Sequence, residues 1–252
     1  MPEKQKKIIG IIGGVGPYAG IEFNKHIFDA TTDARKDGDH LSTVLVSCPS
    51  MVPDRTKYLL GEESENPAAG LFQCAKMLDA AGAAYISIAC NTAHSKQIFN
   101  VFSKMVAESL PKIVIVNMIE SCKLYLQKNY KYINRIAYLS TIGTIKSRVY
   151  HEYFTADDGW TLLEPDTKGR KNVHDAIYSE DYGVKAFSNP VKTEVRKIFQ
   201  NEIEKLVKEG AQAVILGCTE IAFGINANDF QIPILDPAKI TAARLAALVQ
   251  NV

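Results

Sequence analysis

The chain has no long apolar run: nowhere do its 252 residues reach the roughly 18 consecutive apolar positions that a membrane-spanning helix requires. It also has no excess of charge of one sign. With 29 Lys and Arg against 28 Asp and Glu, and no long basic block, the electrostatics favour neither nucleic acid nor an anionic membrane, and a small-molecule partner is expected. The opening MPEKQKKIIGIIGG imitates a secretory signal only faintly, because its apolar stretch is short, broken by Gly10, and followed by no small-residue cleavage site. Cysteines are few, odd in number and irregularly spaced (Cys48, Cys74, Cys90, Cys122, Cys218). That pattern argues against a disulfide framework and predicts free, reduced thiols in a cytoplasmic protein. Low-complexity segments and conspicuous linkers are missing as well, so the length accommodates one large domain or two small ones.

What the chain does have is alternation. Short, β-branched, nearly continuous apolar runs at 7–12, 41–47, 84–89, 112–116, 135–140, 160–164, 213–217 and 232–235 read as strands buried on both faces. Helix-like stretches separate them, clearest at 67–80 and 94–108, then 145–156, 171–180 and 190–208. A last helix over 237–250 follows Asp236-Pro237, a cap residue and a first-turn proline. Strand and helix in turn predict an α/β fold with largely parallel sheet covered by helices.

The alternation repeats. AGAAYISIACNTAH (81–94) superposes on EGAQAVILGCTEIA (209–222) so that Gly82 meets Gly210 and Cys90 meets Cys218, an offset of 128. The same offset lays IIGIIGGVG, from Ile8, over IAYLSTIGT, from Ile136. Two landmarks in one register predict two pseudo-symmetric halves, 1–117 and 118–236, with helix 237–252 packing back on the first. Ligands of parallel α/β sheets bind beyond the carboxyl ends of the strands, where Cys90 and Cys218 both fall. Halves facing one another would bring the two thiols to opposite sides of one cleft. Inverting a carbon centre by proton transfer needs that arrangement: a base on one face and an acid on the other. Thiols, with an ordinary pKa of about 8.5, can be tuned to either task, and the exchange of thiolate for thiol is symmetric. NTAH and TEIA would open helices whose N–H groups can hold a carboxylate and the enolate-like charge formed when the proton leaves.

The stretches IIGGVGPYAG, PSMVPDRTKYL, ACNTAH, STIGTIKSRVYHEYF, GVKA and LGCTEI resemble, in this order, the cofactor-independent aspartate/glutamate racemases, most closely the aspartate racemase branch. The DSGxGG opening usual among cell-wall glutamate racemases is not matched by GGVGPYAG. The resemblance implies two α/β domains, a cleft between them, two catalytic cysteines, no cofactor, no metal, and a homodimer. Carried over residue by residue, Cys90 and Cys218 match the acid/base thiols, and Asn91, Thr92 and Ala93 match the segment that grips the substrate α-carboxylate. Arg55 and Lys185 match the cations that recognise carboxylates, and Thr144 and Thr219 are further donors. The implied partner is a small acidic amino acid, aspartate before glutamate.

Other readings stay open on the residues alone. A cysteine after a buried strand is ordinarily a packing residue, as Cys48, Cys74 and Cys122 are expected to be. GVGPYA satisfies the loose G-x-G-x-x-A dinucleotide fingerprint, although the second strand ends in SCPS without the acidic residue that holds a ribose. Cys90, His94 and Cys218 could hold zinc, or Cys90 and His94 could form a cysteine hydrolase, which leaves Cys218 unexplained. A non-catalytic amino-acid binding protein would keep Arg55 and Lys185 without needing both thiols, and within the resembled superfamily an isomerase of another dicarboxylate, of the maleate type, would keep both cysteines where a decarboxylase keeps only one. His94 could polarise Cys90 or simply be a hydrogen-bonded histidine of the cleft wall, and Glu220 could orient a proton or only favour a helix N-terminus.

Overall fold

Short apolar runs become two parallel four-stranded sheets, buried along their interior strands and half-buried at their edges. The first holds β1 (Ile8–Gly13), β2 (Thr43–Ser47), β3 (Ala83–Ile88) and β4 (Val114–Ile115) in the order β2-β1-β3-β4. The second holds β5 (Arg135–Leu139), β6 (Thr161–Leu163), β7 (Ala213–Leu216) and β8 (Ile234–Leu235) in the order β6-β5-β7-β8, the same path in each half. The computed structural model describes residues 7–250; residues 1–6 and 251–252, part of the expected first half and of the expected closing helix, lie outside the described residues.

Strand pleating sorts the side chains into layers. From β1, Ile9 and Ile11 enter one core cluster and Ile12 enters another on the opposite face; from β5, Ile136 and Tyr138 part from Ala137 and Leu139 in the same way. Burial on both faces is why these strands read as continuous apolar runs rather than alternating ones. Gly82 and Gly210, the repeat's landmark glycines, both adopt positive φ (82° and 93°) where a helix ends and a central strand begins.

The ladders correct the repeat by one residue. Ala89 N–H donates to Ile12 O, and its counterpart Gly217 N–H donates to Leu139 O. The later strands thus keep the offset of 128, whereas Ile12 and Leu139 stand 127 apart, so Ile9 rather than Ile8 corresponds to Ile136. A register shift between Ile8 and Ile9 marks the irregularity in the β1–β3 ladder.

Helices α1 (Pro17–Asp29), α2 (Arg55–Leu60), α3 (Ala68–Ala80), α4 (Lys96–Ser109), α5 (Met118–Asn129), α6 (Ile142–Lys146), α7 (Val149–Tyr153), α8 (Thr167–Tyr178), α9 (Thr193–Lys208) and α10 (Pro237–Gln250) fill the connections. Three were not marked out by sequence pattern. α1 begins at Pro17 without a side-chain cap, α2 is a six-residue helix capped by Asp54, and α5 is capped by Asn117, which accepts from Ile119 N and Glu120 N. The single helix expected over 145–156 is instead α6 and α7, parted at Arg148, whose φ of 55° no helix interior tolerates. α10 returns to the first half: Ala242, Leu245, Ala246 and Val249 share a cluster with Ile9, Ile11, Phe23 and Ile27.

Candidate active site

Cys90 and Cys218 leave the carboxyl ends of β3 and β7, the central strands of the two halves, and each is buried but not sealed, at 7% exposure. Neither is followed directly by an α-helix. Thr92–His94 and Thr219–Gly224 are 3-10 turns, and Ser95, extended at ψ 144°, separates the first turn from α4. His94 therefore does not sit one α-helical turn beyond the thiol. Its Nδ1 pairs with Cys90 O at 2.8 Å and its Nε2 accepts from Met118 N at 3.2 Å, which places the ring proton on Nδ1. Burial pushes the imidazole down from the ordinary 6.5 to about 4. His94 is a neutral brace between the cysteine backbone and α5. With both ring nitrogens on backbone it is not placed as a zinc ligand or as a base for Cys90, and no cluster of three His, Cys, Asp or Glu side chains among the described residues is arranged to hold a metal.

The two thiols meet opposite charges. On the Cys218 side, Sγ donates to Glu220 Oε2 at 2.9 Å, Thr219 Oγ1 donates to the same oxygen at 3.0 Å, and Lys185 Nζ lies 3.3 Å from Oε1. Burial works to raise the Glu220 carboxyl, but Lys185 and these donors hold it down at about 2. Burial, then Glu220, push the Cys218 thiol well above the ordinary cysteine range, so it carries its proton in this structure. On the Cys90 side stands Arg55, only 7% exposed. Burial opposes its charge, yet Cys90, Asp54 and Tyr178 around it raise its pKa. Its Nη2 donates to Val15 O at 2.8 Å and its Nη1 to Pro53 O at 3.2 Å, while Nε is buried without a partner. Cys90 also figures among the groups that raise Cys218, so the thiols lie within electrostatic reach of one another.

Arg55, Lys185 and Glu220 line a cavity of about 370 Å³ together with Gly14, Gly16, Tyr18 and Asp54, a size suited to a small molecule. Local structure aims each of them. Asp54 caps α2 by accepting from Lys57 N at 2.9 Å, which starts the helix on Arg55, and Tyr178 O–H ties the same carboxylate to the second half at 3.0 and 3.1 Å. Lys185 sits in a turn closed by Val184 N–H to Ala176 O and Lys185 N–H to Ile177 O, its ammonium 5.0 Å from the Tyr178 ring centroid. Gly16, the residue before α1, has φ of 123°, and a Cβ there would stand 2.5 Å from Glu220 Oε1. The second half thus sets a carboxylate against the N-terminus of α1, where the helix dipole favours it. A dinucleotide pyrophosphate would need that same place, so the GVGPYA turn is filled by the protein's own anion.

The remaining expected residues gather at the seam between the halves. Asn91 Oδ1 accepts from Tyr150 O–H at 2.7 Å, and its Nδ2 is buried without a partner. Thr92 and Thr144 hydroxyls lie 2.7 Å apart, Thr144 and Thr141 3.2 Å, and Thr141 and Thr56 3.1 Å: four buried hydroxyls in a row that cross from one half to the other. Gly143 permits it, since a Cβ there would meet Thr56 Cα at 2.9 Å. Ala93 is fully buried in the core cluster of Cys90. Thr219 spends its hydroxyl on Glu220. Sequence reasoning did not single out Thr56, Thr141, Tyr150, Tyr178 or Asp54. Asp54 and Thr56 stand in the PSMVPDRTKYL stretch and Thr141 and Tyr150 in STIGTIKSRVYHEYF, but what sets them apart within those stretches is tertiary, as it is for Tyr178.

Two like-ordered parallel sheets, each delivering a buried thiol to one polar seam, define a pseudo-symmetric two-half α/β protein. The Asp/Glu/Hydantoin racemase family matches residues 12–245, and the chain belongs to that family and is an isomerase of the racemase kind. Among solved structures it is similar to the Picrophilus torridus aspartate racemase, at 29% identity over 97% of this chain and 94% of that one, with a TM-score of 0.80. An aspartate racemase homologue from Pyrococcus horikoshii OT3 (24% identity, 98% and 100% covered, TM-score 0.72) shares the fold. So does the glutamate racemase of Francisella tularensis solved with D-glutamate (17% identity, 98% and 82% covered, TM-score 0.65).

Proposed function

We propose that this racemase interconverts L- and D-aspartate by proton transfer between Cys90 and Cys218, without a cofactor. The observation that carries the reading is the pairing of each thiol with a charged partner on one cavity: Cys90 with Arg55, Cys218 with Glu220 and Lys185. The resemblance to the Picrophilus torridus aspartate racemase supports aspartate as the substrate.

In this mechanism the Cα proton passes to the Cys90 sulfur as thiolate, and the Cys218 thiol delivers its own proton to the opposite face. Thiolate and thiol have then exchanged places, and the opposite enantiomer runs the steps in reverse. Asn91 Nδ2, Thr92 and the backbone at Ala93 receive the α-carboxylate, where the orphaned Asn91 Nδ2 would gain the partner it lacks. Arg55 and Lys185 take the second carboxylate, Arg55 as a fork and Lys185 as a point charge. Thr144 and Thr219 act one step back, by holding Thr92 and Glu220. Glu220 is the resting acceptor of the Cys218 proton.

The same reading takes the units as 1–117 and 118–236, with the closing helix returning to the first, and the enzyme as a cytoplasmic homodimer. No described helix is long and apolar enough to cross a membrane. The test is proton NMR of L-aspartate and, separately, L-glutamate in D2O with purified protein, reductant, and no added pyridoxal phosphate or metal. Loss of the α-proton signal with formation of deuterated D-aspartate is expected, faster than for glutamate. Retention of the α-proton in both would refute the proposal.

A further inference from the structure

Two cysteines outside the proposed chemistry lie together. Cys48 follows β2 and opens the 3-10 turn Pro49–Met51; Cys74 is in the middle of α3. The backbone of the turn rests directly on α3: a Cβ on Gly70 would stand 1.9 Å from Met51 O and 3.1 Å from Val52 Cα. Cys74 is one helical turn beyond Gly70, on the same face. Cys48 packs against the core cluster that contains Cys74, and burial first, then the neighbouring Cys48, push the Cys74 thiol up to about 11. Cys74 is fully buried, whereas Cys48 is only partly so.

The segment that begins at Cys48 runs on through Pro49, Val52 and Asp54 to Arg55, all four of which line the active-site cavity. Whatever fixes or moves Cys48 therefore acts on the wall that carries Arg55. From this juxtaposition we propose that Cys48 and Cys74 form a reversible disulfide under hydroperoxide, a redox switch that moves the Arg55 segment.

The steps balance with the peroxide as two-electron oxidant. The partly exposed Cys48 sulfur attacks one oxygen of hydrogen peroxide; the O–O bond breaks, one water leaves, and Cys48 becomes a sulfenic acid. The Cys74 sulfur then attacks that sulfur; the S–O bond breaks, the hydroxyl departs as water with the Cys74 proton, and the S–S bond forms. A dithiol reductant reverses the bond by exchange. Two packed sulfurs must close to about 2.05 Å to bond, and α3 is anchored in the core, so the turn gives way. Displacements of about 1 Å in a positioning group can cost on the order of a hundredfold in rate. Transient bonds of this kind are the usual form of disulfide in a reducing compartment.

The effect on turnover rests on the aspartate racemase reading; the cross-link does not. The experiment exposes the full chain to a small excess of hydrogen peroxide, blocks remaining thiols with iodoacetamide, and maps peptides by mass while following racemisation before and after dithiothreitol. The expected result is a linked peptide pair joining Cys48 to Cys74, with KM for aspartate raised about tenfold or more and both effects reversed by reductant. Cys48→Ser should keep basal turnover and, like Cys74→Ala, show neither the link nor the KM change. Cys48 and Cys74 recovered as separate alkylated thiols, or a link joining Cys90 to Cys218 in their place, overturns the proposal. A Cys48–Cys74 link that forms with KM unmoved overturns its control of the Arg55 segment.

Discussion

Replacing Arg55 by lysine separates two roles that the proposed reaction leaves open to one side chain. The guanidinium stands beside Cys90 and also lines the cavity, so it can serve the thiol, the substrate, or both. Arg55→Lys keeps the charge but loses the fork. Two of the arginine's five N–H groups are committed to Val15 O and Pro53 O, and Nε is among those left. A lysine has three, so satisfying the same two carbonyls leaves one. A carboxylate held by the fork then loses one charge-assisted hydrogen bond, worth about 1.5–3 kcal/mol, or about ten- to 150-fold in kcat/KM. The assay is racemisation followed by circular dichroism, with aspartate and with alanine, which lacks the second carboxylate. The ratio of the two kcat/KM values should fall by that factor in Arg55→Lys while the alanine value changes little. If both substrates fall equally, Arg55 acts through Cys90, and the assignment of Arg55 to the side-chain carboxylate is wrong.

Glu220→Gln removes the anion that, after burial, raises Cys218, so alkylation of Cys218 by iodoacetamide should begin at lower pH than in the wild type; an unmoved profile on the Cys218 peptide would break the proposed coupling. Tyr150→Phe strips the donor from buried Asn91 Oδ1 and should cost about 1–3 kcal/mol, read by calorimetry as a fall in Tm of about 2–4 °C per kcal/mol for a chain of this size. An unchanged Tm together with an unchanged KM would remove this brace from the site. His94 binds a proton at about 4 when folded against 6.5 ordinarily, so its stabilising effect is complete above 6.5 and drains away as pH falls through 4. That window corresponds to about 3 kcal/mol of wild-type stability, which urea titrations at neutral and acidic pH should find missing from the pH dependence of His94→Gln.

What could be read in advance depended on whether the signal was local. Both central strands, both thiols and the α/β class follow from short apolar runs and one repeat, because strands buried on both faces have little freedom in composition. The one-residue slip between Ile8 and Ile9 was invisible, since either of two adjacent isoleucines satisfies the pattern. α1 was hidden because it starts on Gly16-Pro17 without a capping side chain, its N-terminus being answered by Glu220 from the other half. Arg55 and Lys185 read alone as solvated charges. What sets them at the candidate site is company that only the fold provides: Val15 O, Asp54 and Cys90 for one, Glu220 and the Tyr178 ring for the other. The threonine row is the extreme case, since Thr56 and Thr141 are 85 positions apart.

Near-symmetry of the backbone does not extend to the charges, and this has a kinetic consequence for the proposed reaction. Racemisation has an equilibrium constant of one, so kcat/KM must be the same for both enantiomers whatever the site contains. No such constraint binds kcat. The proposed reaction starts with the proton on Cys218, whose Sγ donates to Glu220, and assigns the anion of the reacting pair to Cys90, on the side of the Arg55 guanidinium. One turnover leaves the opposite form, in which a Cys218 thiolate faces the Glu220 carboxylate with only Lys185 to offset two negative charges. Such a pair is costly in a buried setting. The free enzyme should therefore relax to the form protonated on Cys218, and the direction that begins by deprotonating substrate with Cys218 must first pay that rearrangement. Full progress curves from each enantiomer should show equal kcat/KM and unequal kcat, the inequality shrinking in Glu220→Gln. Equal kcat values in the wild type would mean that the Cys218–Glu220 hydrogen bond is lost when substrate enters and that the resting asymmetry has no part in turnover.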